Sequence, residues 1–232
     1  MIDRRWESGW FTDGTGIRRQ SARYAVMVDW IRTNLHFTGA LCAVGNSGGA
    51  AEIAYALTSW NGDNLLDVAI LSSGPPLTRL DYMCEVPASA AWAAQCAALV
   101  PPGTLSCGPP GCEPEPTNPV CPLLPTNPLP GELIDQSILH PLAVLDYPTT
   151  VLQFLLGAED CTSAVPLAML FVNAVQSPTP VEFVPNTPHL MTSTTEGRAA
   201  IVQALKTALG LPDQAPTPGP ALRVHISRFE IE

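Results

Sequence analysis

Short apolar runs alternate with stretches of helical periodicity along most of this 232-residue chain. That alternation constrains the fold more than any other feature. Residues 38–44, TGALCAV, form a brief continuous apolar run, as a strand covered on both faces requires. Similar runs occur at 67–73 (DVAILSS, stopped by Gly74-Pro75-Pro76), 149–156 (TTVLQFLL) and 181–184 (VEFV). Helical spacing appears over 21–34, where Tyr24, Met27, Val28 and Ile31 share a face and Ser21 is placed to cap. It appears again over 49–60, over 163–176 with Pro166 acceptable only in the first turn, and over 195–209 with Gly210 as the stop. Strand and helix in this order predict an α/β class: a mostly parallel sheet with helices on both faces.

Residues 75–146 interrupt the alternation. Within them, 101–131 carry 11 of the chain's 25 prolines and few charges. An interval of that length in a compact domain predicts a cap or lid with some helix of its own, for which 87–99 is a candidate. The expected organisation is a core of residues 1–74 and 147–210, a cap insertion at 75–146, and a Pro-rich linker with an alternating terminal strand at 211–232.

The net charge is −10 with only 14% charged residues. Such a surface repels phosphate backbones and anionic lipid, which argues against nucleic-acid and membrane-surface partners. No apolar run approaches the roughly 18 residues of a membrane span. The opening MIDRRWESGW lacks an apolar h-region, so no signal peptide is expected within the chain. Cysteine usage points to an oxidising compartment nonetheless. Five of the seven cysteines (Cys84, Cys96, Cys107, Cys112, Cys121) lie in the proline-dense segment, and Cys161 follows later. These six suffice for three bridges, whereas Cys42, inside an apolar run, reads as a packed free thiol. Cys107-Gly-Pro-Pro-Gly-Cys112 has the wrong spacing for a zinc knuckle and no histidine follows at ligand distance, so no metal is expected. The expectation is a secreted or periplasmic protein, either a mature form without its leader or a reading frame cut short at its start.

The chemistry concentrates at Gly45-Asn46-Ser47-Gly48-Gly49, between an apolar run and a helical pattern. A serine at such a strand–turn–helix tip is forced to positive φ, and small neighbours two residues away on each side avoid a collision. Its hydroxyl then stands beside a helix start, where the Gly48 N–H can donate to a developing oxyanion. A phosphate-cradling loop is the competing reading, but no lysine follows and the net charge opposes it. Serine needs a base. Of His36, His140, His189 and His225, only His189 follows a predicted strand on a turn-rich loop at the carboxyl edge. The group that orients the base is expected in LLGAEDCTS: Asp160 just past the third strand, with Glu159 as competitor and Asp146 at the wrong edge. Cys161, next to Asp160, is placed to pin this loop to the cap.

With GNSGG, LLGAEDC and NTPHL in this order, residues 1–210 resemble the α/β-hydrolase superfamily. The resemblance implies acyl-enzyme chemistry: Ser47 attacks, His189 shuttles the proton, Asp160 orients it, and Gly48 supplies half of the oxyanion hole. No cofactor is implied. The chain departs from the family in starting near its fourth strand, around MIDRRWESGWF, and in having no HG motif before the elbow. The resemblance then implies a reduced sheet, a missing part that belongs to another chain, or a second oxyanion donor from elsewhere. The WESGWFTDGTG stretch is a candidate for the second oxyanion donor by position only, and an open sheet edge would favour a homo-dimer. The weakly charged cap favours apolar acyl groups, with Trp6, Trp10 and Trp92 as candidate lining residues. Small or polymeric esters both fit, so lipase, small-ester esterase and polyester hydrolase stay open, as does peptidase. The alternative is a catalytically weak or inactive relative that acts as a binding module.

Overall fold

The computed structural model describes residues 16–35, 38–85, 91–92, 95, 99–100, 121 and 130–212. Four strands, β1 (Cys42–Asn46), β2 (Val68–Ser72), β3 (Val151–Gly157) and β4 (Val181–Val184), form one sheet in the order β1-β2-β3-β4. Every described pairing is parallel: Val44 stands opposite Ile70, Ser72 opposite Leu155, and Gly157 opposite Val184. β2 is buried at all five positions, which explains its unbroken apolar run. The helices are α1 (Ile17–Asn34), α2 (Gly48–Ser59), α3 (Leu80–Cys84), α4 (Pro130–Gln136), α5 (Ala164–Ala174) and α6 (Thr195–Ala208). Proline 166 lies in the first turn of α5, where its missing N–H costs nothing. The predicted terminal strand after residue 220 and most of the predicted helix at 87–99 lie outside the described residues.

The sheet is wound in one direction. Right-handed crossovers then put every connecting helix on the same face. On that face Ala43, Ala69, Leu71, Leu152, Phe154 and Leu156 pack in one core with α1, α2 and α5. The opposite face has α6, which returns from β4 and packs its Ala200 and Ala204 over Val68, Ile70, Leu155 and Val184. Each large side chain fully buried there contributes about 1.5–3 kcal/mol. α6 reaches β2, β3 and β4, and Val44 on β1 keeps 42% of its surface exposed. Among the described residues β1 pairs with β2 alone, so β1 is an edge of the described sheet.

The start of α1 corrects the sequence reading. Helix begins at Ile17, not after Ser21, and Gly16 with φ 96° is the N-cap. Gln136, at the end of α4, is the reason: its Oε1 accepts from the Arg18 N–H at 3.2 Å, and a Cβ on Gly16 would sit 2.6 Å from that oxygen. Ser21 lies inside the helix, donating to Arg18 O and accepting from Trp60 Nε1. The same Gln136 accepts the Tyr55 hydroxyl of α2 through its carbonyl at 2.6 Å. Residues leaving and re-entering the core around the insertion are also joined: Ile138 N–H donates to Leu77 O, Leu139 N–H to Thr78 O, and Leu80 N–H to Ser137 Oγ. Cys84 and Cys121 form a disulfide. Cys161 is also disulfide-bonded. Cys42 is free and half-buried, and burial raises its thiol pKa.

His140 follows α4 and is buried. Its Nδ1 accepts from the Leu142 N–H at 3.2 Å, so in the neutral ring Nε2 carries the proton and donates to Ser59 Oγ at 2.9 Å. Burial lowers its pKa below the ordinary 6.5, Arg18 adds to the lowering and Asp135 opposes it. The unfolded chain therefore binds the proton more readily. His140's contribution to stability is complete above about pH 6.5 and is lost as pH falls through the lowered folded-state value. Urea melts at about pH 7.5 and about pH 5 should show a larger loss for the parent than for His140→Gln. Equal losses would mean that this histidine does not carry the acid sensitivity.

Candidate active site

Three elements end at the carboxyl edge of the sheet and bring three side chains with them. Ser47 follows β1 and immediately precedes α2, with φ 53° and ψ −113°. That conformation costs a non-glycine residue on the order of 1–3 kcal/mol and persists because its surroundings fix it. The Ser47 N–H extends the sheet ladder by donating to Ser72 O at 2.9 Å, and its carbonyl accepts Ala51 N–H at 3.0 Å. Gly45 is required, since a Cβ there would lie 2.4 Å from the Gly49 carbonyl carbon. Gly49 is not: a Cβ on it would meet nothing within 4 Å. The expectation of a collision on both sides is thus corrected to one side, because α2 departs with position 49 facing open space. Gly48 opens α2, where the first N–H groups have no acceptor within the helix.

Asp160 lies three residues beyond β3 and is buried. Its Oδ2 is 2.8 Å from His189 Nδ1, while Oδ1 accepts from both the N–H and the hydroxyl of Thr162, at 3.1 and 2.7 Å. A carboxylate so placed accepts only, so the neutral imidazole carries its proton on Nδ1 and its basic lone pair on Nε2. The His189 side chain retains 34% of its exposure. Thr162 was not singled out by sequence reasoning. Its hydroxyl also accepts Ala164 N–H at the start of α5, so one side chain fixes both the acid and the following helix. The Asp-Cys-Thr spacing, an Asx turn running into a helix, is the local signal that would have found it.

The remaining candidates fall elsewhere. Glu159 is exposed, and its backbone N–H rather than its carboxylate is used, donating to Thr187 O at 2.9 Å. Asp146 accepts from Ser177 Oγ ahead of β3, at the amino edge. His140 is bonded to Ser59 at the far end of α2 from Ser47, about 16 Å along the helix axis. Trp92 is buried in the main core rather than lining a site. His36, His225, Trp6, Trp10 and the WESGWFTDGTG stretch lie outside the described residues. Among the described residues, no helix is long and apolar enough to cross a membrane.

No family model matches the sequence, and no curated protein matches it. Among solved structures, the chain matches a puromycin hydrolase mutant in complex with PGG at 15% identity and a TM-score of 0.54, over 86% of this chain and 27% of that one. The chain has the α/β-hydrolase fold. It spans about a quarter of the length of that hydrolase. Two further matches are the peroxisomal α/β-hydrolase Lpx1 of Saccharomyces cerevisiae (12% identity, TM-score 0.47, 88% of this chain and 64% of that one) and the esterase RhEst1 of a Rhodococcus species (16% identity, TM-score 0.42, 83% and 74%). Among the described residues the sheet has four strands, all parallel.

The two elbow glycines should separate cleanly on substitution. Gly49→Ala should keep the parent's thermal midpoint or raise it slightly, since alanine favours helix over glycine by about 0.5–1 kcal/mol. Gly45→Ala should lose at least the 1–3 kcal/mol typical of overpacking, because the obstruction is backbone. Denaturant melts of the two variants check this. Similar losses would contradict the one-sided packing of the elbow.

Proposed function

We propose that the chain is a serine hydrolase that cleaves carboxylic esters with apolar acyl groups through an acyl-enzyme on Ser47. One observation carries the reading: the buried Asp160 carboxylate holds His189 by Nδ1 at 2.8 Å, on the same sheet edge as a serine at positive φ. In this mechanism His189 Nε2 takes the Ser47 proton as Oγ attacks the ester carbonyl carbon. Negative charge develops on the carbonyl oxygen, where the Gly48 N–H donates to it. The tetrahedral adduct collapses, the C–O bond to the alcohol breaks, and His189 returns the proton to the leaving oxygen. Water then attacks the acyl-enzyme with His189 again as base, releasing the acid and restoring Ser47. Asp160 stays ionised and balances the imidazolium at each proton transfer.

Residues 75–146 act as the cap in this reading. The disulfide at Cys84–Cys121 supports it, because it closes part of the segment on itself, and Cys161, beside Asp160 in sequence, is disulfide-bonded too. The same bonds support a secreted or periplasmic location, where disulfides persist. The low charge of the segment favours apolar acyl chains, on small or polymeric esters.

Labelling with a fluorophosphonate under non-reducing conditions tests the reading. The parent should label, Ser47→Ala should not, and Asp160→Asn should label slower by on the order of 10³–10⁴. A series of p-nitrophenyl esters from short to long should then favour longer acyl chains. A folded parent that does not label would sink the enzyme reading and leave the binding-module alternative.

A further inference from the structure

The histidine loop is tied down at two points equally spaced from His189. Two residues before it, the Thr187 carbonyl accepts the Glu159 N–H at 2.9 Å. Two residues after it, the Met191 N–H donates to the side-chain Oδ1 of Asn46 at 3.1 Å, a contact across 145 residues of sequence. Glu159 immediately precedes Asp160, and Asn46 immediately precedes Ser47. Each tether therefore fixes His189 to the residue next to one of its two chemical partners.

The two ends differ in kind. The Thr187 end is backbone to backbone and is reinforced by close packing: a Cβ on Gly157 would sit 2.3 Å from the Thr187 carbonyl oxygen. The Asn46 end depends on one side chain. A backbone N–H can only donate, so the atom facing Met191 is an acceptor, which alanine or a hydrocarbon at position 46 cannot supply. Met191 has no other freedom to take up. It is fully buried, and its carbonyl lies so close to Gly197 that a Cβ there would be 2.0 Å away. The Ser72 hydroxyl donates to Gly45 O at 2.9 Å and lies 3.5 Å from the same Asn46 Oδ1, so it borders the tether.

We propose that Asn46 is a positioning residue of the serine–histidine pair: its carboxamide, reaching from the last position of β1 to the Met191 N–H, sets where His189 stands relative to Ser47. This deepens the serine-hydrolase reading and rests on it. Asn46 stands between Gly45 and Ser47. Its side chain is used here to join the nucleophile strand to the loop that carries the base.

The test compares the parent with Asn46→Ala and Asn46→Asp. Aspartate keeps an acceptor of the same reach, so it separates loss of the tether from loss of bulk. Asn46→Ala should lower the fluorophosphonate labelling rate and ester kcat by about 10²-fold, the usual effect of displacing a reacting group by an ångström, with KM nearly unchanged. Asn46→Asp should restore most of that loss. Independently of activity, ¹⁵N-histidine spectra should show His189 imidazole signals shifted or broadened in Asn46→Ala and parent-like in Asn46→Asp. A parent that does not label would overturn the serine-hydrolase reading alone, and the imidazole spectra would still decide the tether. Identical His189 signals in the parent and Asn46→Ala would overturn the inference whether or not the parent labels. So would labelling rates within about twofold of each other in a reactive parent.

Discussion

The carboxyl edge of the sheet depends on one close approach, that of the Gly45 backbone to Gly49 and Ala50. No side chain fits between them, so α2 leaves β1 at short range and Ser47 is driven to positive φ at the apex. The strain is held by ordinary bonds on both sides, one to Ser72 O from the Ser47 N–H and one from Ala51 into the Ser47 carbonyl. The result is a hydroxyl on rigid backbone beside a helix N-terminus. The other groups at this edge matter only in relation to that fixed point.

The winding of the sheet accounts for the unequal treatment of its faces. Successive right-handed crossovers in one direction stack α2 and α5 on a single side, and α6 alone returns across the other. α6 reaches from β4 as far as β2, which leaves Val44 on β1 half-covered. β1, which leads into Ser47, is therefore an edge of the described sheet with an exposed residue at its centre. Natural sheets manage such edges by covering or pairing them.

The long insertion is bound to the core where it leaves and returns. Residues 77–80 and 137–139 bond to one another, and Gln136 serves α1 with its side chain and α2 with its carbonyl. Leu133 and Ile138 are buried in the same core as α2. The segment that returns to β3 is thus part of what holds α2 in place. The disulfide at Cys84 adds a covalent constraint close to the point of departure.

Local pattern determined much of this protein. All four apolar runs became strands, with ends shifted by no more than a few residues, and the four periodic stretches became α1, α2, α5 and α6. The elbow was legible because its chemistry is contiguous: glycine, a residue, serine, glycine. That Asp160 and His189 share an edge was legible because topology fixes which loops do, and the two side chains stand 2.8 Å apart there. The sequence did not reveal that α1 starts at Ile17, because the contact at its N-terminus comes from Gln136 across 118 residues. Nor did it reveal that Gly49 is unconstrained or that Asn46 holds the histidine loop, since one depends on where a helix departs and the other spans 145 residues. Periodicity and turn chemistry act between residues near in sequence, so the chain alone determines its elements and their order. Caps, tethers and close approaches act between residues that only packing brings together, and these the tertiary structure decided.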